Sequence, residues 1–566
     1  MSSGSLHPVF QKEFPFVRSR ILIPLLAVWI VSTAWLIVRF RALDSDSIMY
    51  GLPLAFSKGP FSLAIPFLGD FPPYSTAWGH QWPGALWIRG ALFSIIPFER
   101  WLDISLLLTC QFAAAFLAGG LVWRLTRGVI PSIVCAVIIC SDRVIIAALQ
   151  LHRWEPLTIL ALVALLVAIV RTAGRRGAES GKLKVESGRS EMEVGIQNSK
   201  SKIQNSPFPV WLIVSFFSAF VAACTHPFGM VIGAGLVGMA GIDWLILRRR
   251  SAWAALIPSA GFLCGLGAVL LYYALIPEAR EQFMSNLALQ SSFNEGSRWG
   301  FFTTHLRYYH WLGYPLYAAC LLATPVVFWK LYRRKSPEEM FAAWAIPLAA
   351  VAVPVIFVLT RSANNSYATL GTPFAAILVT VAVGLIPSGR RIWKLVAGAA
   401  LALLAIGFLS VYPYRWLVFF RSGCPDFPGE LLAVIERAPA GARVYIPPPL
   451  WDVARKDASR EYRLYTLSVA SPWNTRLRYE KVTYGEARSG DFLVVDRLSG
   501  KTGDPWGILP TFETRPPNAS YWRPAFEAVC RIPGAGNEFG YDLAVYEFRG
   551  NPWDPETSPR HSIPGK

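Results

Sequence analysis

Charged residues are scarce in this chain of 566 residues, in which only 16% are Asp, Glu, Lys or Arg. A soluble protein of this length would carry about a quarter. Hydrophobic residues make up 53% of the chain, and its mean hydropathy is +0.38. Apolar runs long enough to cross about 30 Å of hydrocarbon recur as far as residue 414 and then stop. The composition therefore argues against a soluble protein and predicts a polytopic α-helical membrane protein.

The common catalytic and cofactor motifs are also missing. The sequence has no glycine-rich phosphate loop, no Gly-x-Ser-x-Gly turn and no His-Glu-x-x-His zinc motif. Its eight cysteines show no metal-ligand spacing, and six of them fall in apolar segments. The other two, Cys424 and Cys530, follow the last apolar run, and whether they form a disulfide stays open. Function must therefore be sought in less specific clusters of polar residues.

The apolar runs predict about eleven transmembrane helices. Seven runs are unambiguous, and four are shorter or carry a polar residue near one end. In chain order they cover residues 21–38, 104–123, 129–146, 157–170, 209–225, 227–247, 252–277, 311–329, 340–360, 362–389 and 395–414. The first run is too long for the core of a signal peptide, so we expect it to remain as an anchor.

Basic residues cluster at alternate gaps between these runs, at 18–20, 124–127, 171–176, 248–250, 330–335 and 390–394. Lys and Arg are retained on the cytoplasmic side of a membrane. The alternation predicts a multi-pass protein of the cell (inner or plasma) membrane with a cytoplasmic N-terminus and an extracytoplasmic C-terminus. Topology thus accounts for the net charge of +18, and nucleic acid is not expected as a partner.

The pattern of hydropathy divides the chain into a transmembrane domain, 1–414, and a soluble extracytoplasmic α/β domain, 415–566. In the second domain a short helix is predicted at 430–437, and strands are predicted at 443–446, 492–496, 528–532 and 543–548.

Two connecting segments of the transmembrane domain have unusual compositions. The first external loop, about 39–103, contains the half-apolar run Ala85–Pro97. That run is short and includes Arg89, which favours a helix lying in the membrane interface over a further span. Residues 174–206 are rich in Gly, Ser, Glu and Lys and lack aromatics, which predicts a disordered cytoplasmic insertion.

Asp44 and Asp46 follow the first predicted helix directly. Ionisable groups beside a membrane are costly and are therefore functional candidates. Two carboxylates one residue apart on an extended segment point the same way. That arrangement suits a divalent cation, or a base tuned by a second negative charge. The alternative is chance, because Asp-x-Asp is a common pattern and polar caps often follow a first helix.

A second polar cluster, His152, Arg153 and Glu155, precedes the fourth predicted helix on the same outer face. The planar guanidinium of arginine suits a phosphate. The alternative is a structural Arg–Glu pair with Trp154 as an interface anchor. His226 and Arg361 are also predicted to face outward, and a lone His is more often a structural residue.

The order of these features resembles the GT-C superfamily of membrane glycosyltransferases, in its bacterial branch related to protein O-mannosyltransferases and aminoarabinose transferases. The acidic motif of the first external loop is matched by Asp46 through Tyr50, with Ser47 in place of a second acid. His80-Gln81-Trp82-Pro83 resembles the stretch before the interfacial helix, and Arg153-Trp154-Glu155 resembles an Arg-x-acid motif. Late in the membrane domain Tyr367 and Pro373 fit an Arg-Tyr…Pro pattern, although Ser366 replaces the Arg.

The resemblance implies a donor sugar on a polyprenyl phosphate and transfer at the outer membrane face, to an acceptor that is a protein, a lipid or a glycan. Arg153 would stabilise the phosphate charge that develops as the sugar leaves. Asp46 would accept the proton of the acceptor hydroxyl, with Asp44 as a neighbour or as a second ligand of a divalent cation. His152, Glu155, Tyr50, His80 and Tyr367 would complete the donor site. Asp46 and Arg153 should then lie within roughly 12 Å of each other, room for a phosphate and a sugar.

Two other function classes remain open at this point. A transporter or flippase of a lipid-linked substrate would carry ionisable groups in the middle of its spans and show paired halves. The mid-span positions here are nearly free of charge, and no repeat is visible. A non-catalytic scaffold that presents the outer domain would tolerate changes at Asp44 and Asp46.

Overall fold

The computed structural model of the protein is mostly helical. The residues that it describes are 82–93, 95–97, 99–142, 153–173, 208–247, 250–277, 280–281, 283–284, 313–334, 336–360, 369–387, 389–410, 442–446, 461–464, 489–496, 522–533 and 538–549. Eleven helices lie within these residues: α1 (Gly84–Phe93), α2 (Arg100–Thr126), α3 (Val129–Cys140), α4 (Glu155–Thr172), α5 (Phe208–Thr225), α6 (Pro227–Leu245), α7 (Ala252–Leu275), α8 (Gly313–Tyr332), α9 (Pro337–Thr360), α10 (Thr372–Gly384) and α11 (Arg391–Leu409).

Helices α2 to α11 coincide with ten of the predicted spans. Within the described residues, seven helices are long and apolar enough to cross a membrane: α2, α4, α6, α7, α8, α9 and α11. The apolar stretches of α3, α5 and α10 are shorter. The first predicted span, 21–38, lies outside the described residues. A helical membrane protein is therefore confirmed, whereas eleven crossings stays a prediction.

Helix α4 is the centre of the bundle. Its residues are 83% buried, and it contacts α2, α5, α6, α7, α9 and α10. By contrast, α7, α8 and α11 expose large apolar side chains such as Leu263, Leu321 and Leu403. Exposed apolar side chains suit hydrocarbon and not water. The position of α4 matters for the site, because Glu155 is its first residue and Arg153 directly precedes its N-cap residue Trp154.

Two glycines allow α5 and α7 to approach closely. A Cβ atom at Gly261 would lie 2.2 Å from the carbonyl oxygen of Phe216, and one at Gly265 would lie 2.4 Å from that of Phe220. Small residues of this kind bring helix backbones together in membranes, where helix association depends on close packing. The α5–α7 contact therefore tolerates no side chain at either position.

Gly261→Ala is expected to destabilise the protein by about 1–3 kcal/mol, the usual cost of overpacking, because the α5 backbone must move. The matched control is Gly267→Ala in the same helix, where nothing lies within 4 Å of the added Cβ atom. Thermal unfolding of the purified protein in detergent measures both changes. Because Ala favours a helix more than Gly does, the control should keep or raise its unfolding temperature. An equal loss in both variants would show that the α5–α7 contact does not decide the outcome.

Helix ends that are predicted to lie on the same side of the membrane contact each other. Arg250, at a predicted inner end, is fully buried and donates from Nη1 to the carbonyl oxygen of Ile169 at 2.7 Å and to Thr172 Oγ1 at 3.0 Å. Its Nε lies 3.3 Å from Asp243 Oδ2. At the same kind of end, Arg124 donates to both carboxylate oxygens of Glu338 at 2.8 Å. In both cases the contact joins two helix ends that the sequence predicts to be on the cytoplasmic side.

The strands form one mixed sheet. In chain order they are β1 (Arg443–Ile446), β2 (Glu461–Leu464), β3 (Phe492–Asp496), β4 (Trp522–Pro533) and β5 (Glu538–Phe548), and their order in the sheet is β2-β1-β3-β5-β4. β1 is parallel to β2 and β3, whereas β5 is antiparallel to β3 and β4. Four of these strands agree with the predicted ones. β2 was not predicted, since its sequence EYRL is short and half polar.

Several sequence predictions fall outside the described residues. These are the helix at 430–437, the insertion at 174–206, most of the first external loop and the pairing of Cys424 with Cys530. The domain boundary at 414/415 and the extracytoplasmic location of the sheet stay predictions for the same reason.

Candidate functional site

Arg153 and Glu155 form a buried ion pair at the start of α4. Arg153 Nε donates to Glu155 Oε1 at 2.8 Å, and Nη2 lies 2.6 Å from the same oxygen. Glu155 is fully buried and Arg153 is 6% exposed. A carboxylate in the first turn of a helix is favoured by the helix dipole. The pair places a guanidinium at one end of the central helix, and removing either partner would leave a buried charge uncompensated.

Trp154 packs inside the protein, although the sequence also allowed an anchor at the membrane interface. Its side chain is only 3% exposed, and its ring meets the ring of His226 edge to face at 5.2 Å. In the sequence His226 has no polar neighbour that points to a function. In the fold it packs against the tryptophan of the Arg153-Trp154-Glu155 motif. The Arg153–Glu155 pair is thus present, and Trp154 is buried in protein.

His226 caps the start of α6. Its Nδ1 accepts a hydrogen bond from the backbone N–H of Phe228 at 3.0 Å, and Pro227 occupies the first turn. The residue is fully buried. Burial, and next the nearby positive charge of Arg153, lower the pKa of His226 to about 3. The imidazole is consequently neutral at physiological pH, and because Nδ1 is an acceptor its proton is on Nε2.

The end of the first external loop joins the same cluster. The indole of Trp82 donates to the carbonyl oxygen of Ala223 at 2.8 Å, which satisfies an acceptor in the last turn of α5. A Cβ atom at Gly84 would lie 2.3 Å from the carbonyl oxygen of Cys224, so only glycine fits there. The segment that begins at Trp82 is thus held against the end of α5, one residue before His226.

Helix α1 is tied to α2 by Arg89 and Asp103. Arg89 Nε donates to Asp103 Oδ1 at 2.8 Å, and Nη2 also contacts Oδ2. Both residues are at most 1% exposed. With ten residues, α1 is about 15 Å long, which is too short to cross a bilayer. Its arginine is buried in protein and does not reach towards water.

Asp142 is a further buried acid at the predicted outer ends. It follows α3 and accepts a hydrogen bond from Thr372 Oγ1 at 2.7 Å, at the start of α10. Both residues are at most 1% exposed. Three acids therefore lie buried near predicted outer helix ends, namely Asp103, Asp142 and Glu155. Neither Asp142 nor Asp103 was singled out from the sequence, because a single acid beside an apolar run carries no pattern.

The structure describes only two of the eight residues proposed for the site, Arg153 and Glu155. The others, Asp44, Asp46, Tyr50, His80, His152 and Tyr367, lie outside the described residues. The predicted separation of Asp46 and Arg153 is therefore not tested. What the structure adds is that Trp82, two residues after His80, lies in one apolar cluster with Trp154.

No metal site is formed by the residues that the structure describes, since none of their His, Cys, Asp and Glu side chains come together in groups of three or more. The predicted cation ligands, Asp44 and Asp46, are not among them. A divalent cation accordingly stays a prediction that concerns those two residues, and no step below depends on it.

Comparison with solved structures identifies the fold. No protein-family model and no curated protein sequence matches the chain. The crystal structure of ArnT from Cupriavidus metallidurans bound to undecaprenyl phosphate matches with a TM-score of 0.53 and 12% identity, over 93% of this chain and 98% of ArnT. The Archaeoglobus fulgidus oligosaccharyltransferase in complex with Zn and sulfate matches with a TM-score of 0.41 and 12% identity, over 91% of this chain and 72% of that one. The likeness to ArnT shows that the chain has an ArnT-like fold.

Proposed function

We propose that this protein is a membrane glycosyltransferase of the GT-C type, which transfers a sugar from a polyprenyl-phosphate donor to an acceptor at the outer face of the membrane. The observation that carries the proposal is the buried Arg153–Glu155 pair at the start of the central helix, in a fold like that of ArnT. ArnT is described with bound undecaprenyl phosphate, which supports a lipid phosphate as the ligand of this chain.

The chemistry follows from where charge develops. When the sugar leaves, negative charge grows on the lipid phosphate, and a fixed cation nearby stabilises it most in a site that excludes water. Arg153 is such a cation, because Glu155 and the surrounding protein hold it in place. Asp46 would accept the proton of the acceptor hydroxyl, while Asp44 would tune its pKa or share a divalent cation. His152, Tyr50, His80 and Tyr367 would complete the donor site.

Glu155 has a second role in this proposal. Its Oε1 faces Arg153, whereas Oε2 is buried with no hydrogen-bond donor among the described residues. A buried carboxylate oxygen is strongly favoured to accept a hydrogen bond. We assign Oε2 as an acceptor for a hydroxyl of the donor sugar, which would orient the sugar relative to the phosphate on Arg153.

The polar groups of the helices favour an enzyme over a transporter. The ion pairs Arg153–Glu155, Arg124–Glu338 and Arg250–Asp243 all lie at ends of helices in the described part of the bundle. Transporters instead place ionisable groups near the middle of the membrane. A reaction at a membrane face does not need ionisable groups in the middle of the spans.

The release of undecaprenyl phosphate tests the function directly. The purified protein is incubated with a panel of undecaprenyl-phosphate sugars, with membrane extract as the source of acceptor, and mass spectrometry follows free undecaprenyl phosphate. A transferase cleaves at least one donor, and Asp46→Asn does not. Donors that all remain intact while lipid is moved between leaflets of proteoliposomes would support a flippase and reject the transferase.

Reporter fusions test the proposed orientation. Fusions after Arg250 and after Arg391 should report the cytoplasm, and fusions after Ser297 or within 430–560 should report the outside, because the basic clusters alternate. Alkaline phosphatase and a fluorescent protein provide the two opposite readouts. A cytoplasmic signal from 430–560 would remove the proposal that the sheet and the donor site share the outer face.

A further inference from the structure

Two of the contacts that His226 makes can be told apart by substitution. One is the hydrogen bond from the N–H of Phe228 to Nδ1, which caps α6. The other is the edge-to-face packing of its ring on Trp154, at 5.2 Å between centroids. The first contact concerns α6 alone. The second joins the start of α6 to the start of α4, and these two helix starts are 72 residues apart in sequence.

The Arg153–Glu155 pair needs support from outside its own segment. Both residues flank Trp154, and their pair spans only two positions of the chain, so it does not anchor the segment to another helix. Trp154 is the N-cap residue of α4, and an indole cannot cap a helix because it has no acceptor. Packing of the Trp154 ring against His226 therefore contributes to the direction in which the neighbouring Arg153 side chain points.

Close contacts between helices surround the ring of His226. Thr158, one turn into α4, is hydrogen bonded to Thr225 with 3.0 Å between the hydroxyl oxygens, and Thr225 directly precedes His226. A Cβ atom at Gly229 would lie 2.6 Å from Thr158 Cγ2. The start of α4 thus contacts residues on both sides of His226 in the chain. A smaller side chain at position 226 would leave a gap beside Trp154.

We propose that His226 is a positioning residue, whose ring holds Trp154 and thereby aims the Arg153 guanidinium at the lipid phosphate. This inference rests on the proposed function, since it concerns the same phosphate site. The part of His226 that matters for the ligand is the ring and not the capping nitrogen. A displacement of about 1 Å at such a site can lower a rate by about a hundredfold.

Two variants separate the ring from the cap. His226→Phe keeps an aromatic ring against Trp154 but loses the acceptor for Phe228 N–H. His226→Asn keeps a capping oxygen but loses the ring. Binding of undecaprenyl phosphate and release of undecaprenyl phosphate from its sugar donor are measured on monodisperse protein. We expect binding at least about tenfold weaker for the Asn variant, whose unfolding temperature falls only through the lost ring contact with Trp154, and near-normal binding for the Phe variant, whose unfolding temperature falls through the lost cap of α6.

A double-mutant cycle tests the packing without any ligand. His226→Asn and Trp154→Leu should lower the unfolding temperature less in combination than the sum of their single effects, because they remove one contact. Additive effects would overturn the inference whatever the lipid does. Normal binding by the Asn variant, or equal losses in both variants, would overturn it as well. If the wild type binds no undecaprenyl phosphate while the cycle shows coupling, the proposed function fails and the contact stands.

Discussion

Asp46→Asn is expected to abolish sugar transfer while the protein is still made and inserted. The amide keeps the shape of the side chain but cannot accept the proton of the acceptor hydroxyl. General base catalysis contributes about 10²–10⁴-fold to a rate, so the rate of sugar transfer should fall by a factor in that range. Release of undecaprenyl phosphate from the donor is the measurement, made on equal amounts of folded protein.

Asp44→Asn is the matched comparison, since it removes the same charge two positions away. If Asp44 tunes its neighbour, its loss should shift the pH dependence of transfer and reduce the rate less than the loss of Asp46 does. Binding of undecaprenyl phosphate should be retained by both variants. Full activity of Asp46→Asn would remove the base from the proposal and favour a scaffold.

Arg153→Lys is expected to impair transfer strongly even though the positive charge is kept. An ammonium group is a point charge and cannot give the two parallel hydrogen bonds of a guanidinium. Its stem also places the charge elsewhere relative to Glu155 Oε1, which Arg153 now approaches with both Nε and Nη2. We expect weaker binding of undecaprenyl phosphate together with a slower release from the donor.

Stability has to be separated from catalysis at Arg153, because Glu155 is fully buried. Arg153→Gln leaves that carboxylate without its cation, which costs about 3–5 kcal/mol in buried pairs. The double variant Arg153→Gln/Glu155→Gln should recover much of that stability and remain inactive. Arg124→Lys is the control, since its partner Glu338 forms a similar pair at the opposite ends of the helices and is partly exposed. Recovery of transfer by the double variant would show that the pair is only structural.

Much of the helical architecture could be predicted from the chain alone. A bilayer leaves few options for an apolar segment, since every backbone N–H and C=O must be satisfied inside the segment. For that reason ten predicted spans reappear as helices, some at nearly the same bounds, such as Ala252–Leu275 for the run at 252–277, and others shorter, such as Thr372–Gly384 for the run at 362–389. Strands were predictable where β-branched and apolar residues dominate, as in Phe492–Asp496, and β2 was missed because it is short, half polar and without a β-branched residue.

The partners of each polar residue could not be predicted. The charge of Arg89 favoured the prediction of an interfacial helix for α1. In the fold, the Arg89 side chain contacts Asp103 on the next helix. His226 carried no signal beyond a Thr-His-Pro sequence before an apolar run, which indicates a helix cap and not the contact with Trp154. Asp142 and Thr372 are 230 residues apart, and nothing in either segment points to the other.

The sequence by itself determined that this is a helical membrane protein with its polar residues at helix ends, because hydropathy and the placement of Lys and Arg act through the solvent and need no knowledge of neighbours. Only the tertiary structure decided that Arg153 and Glu155 are buried together, and that Trp154 packs on His226 and shares an apolar cluster with Trp82. Those contacts depend on how α4, α5 and α6 pack. Packing is set by the shapes of many side chains at once, of which glycines such as Gly84 and Gly229 show the tightest points.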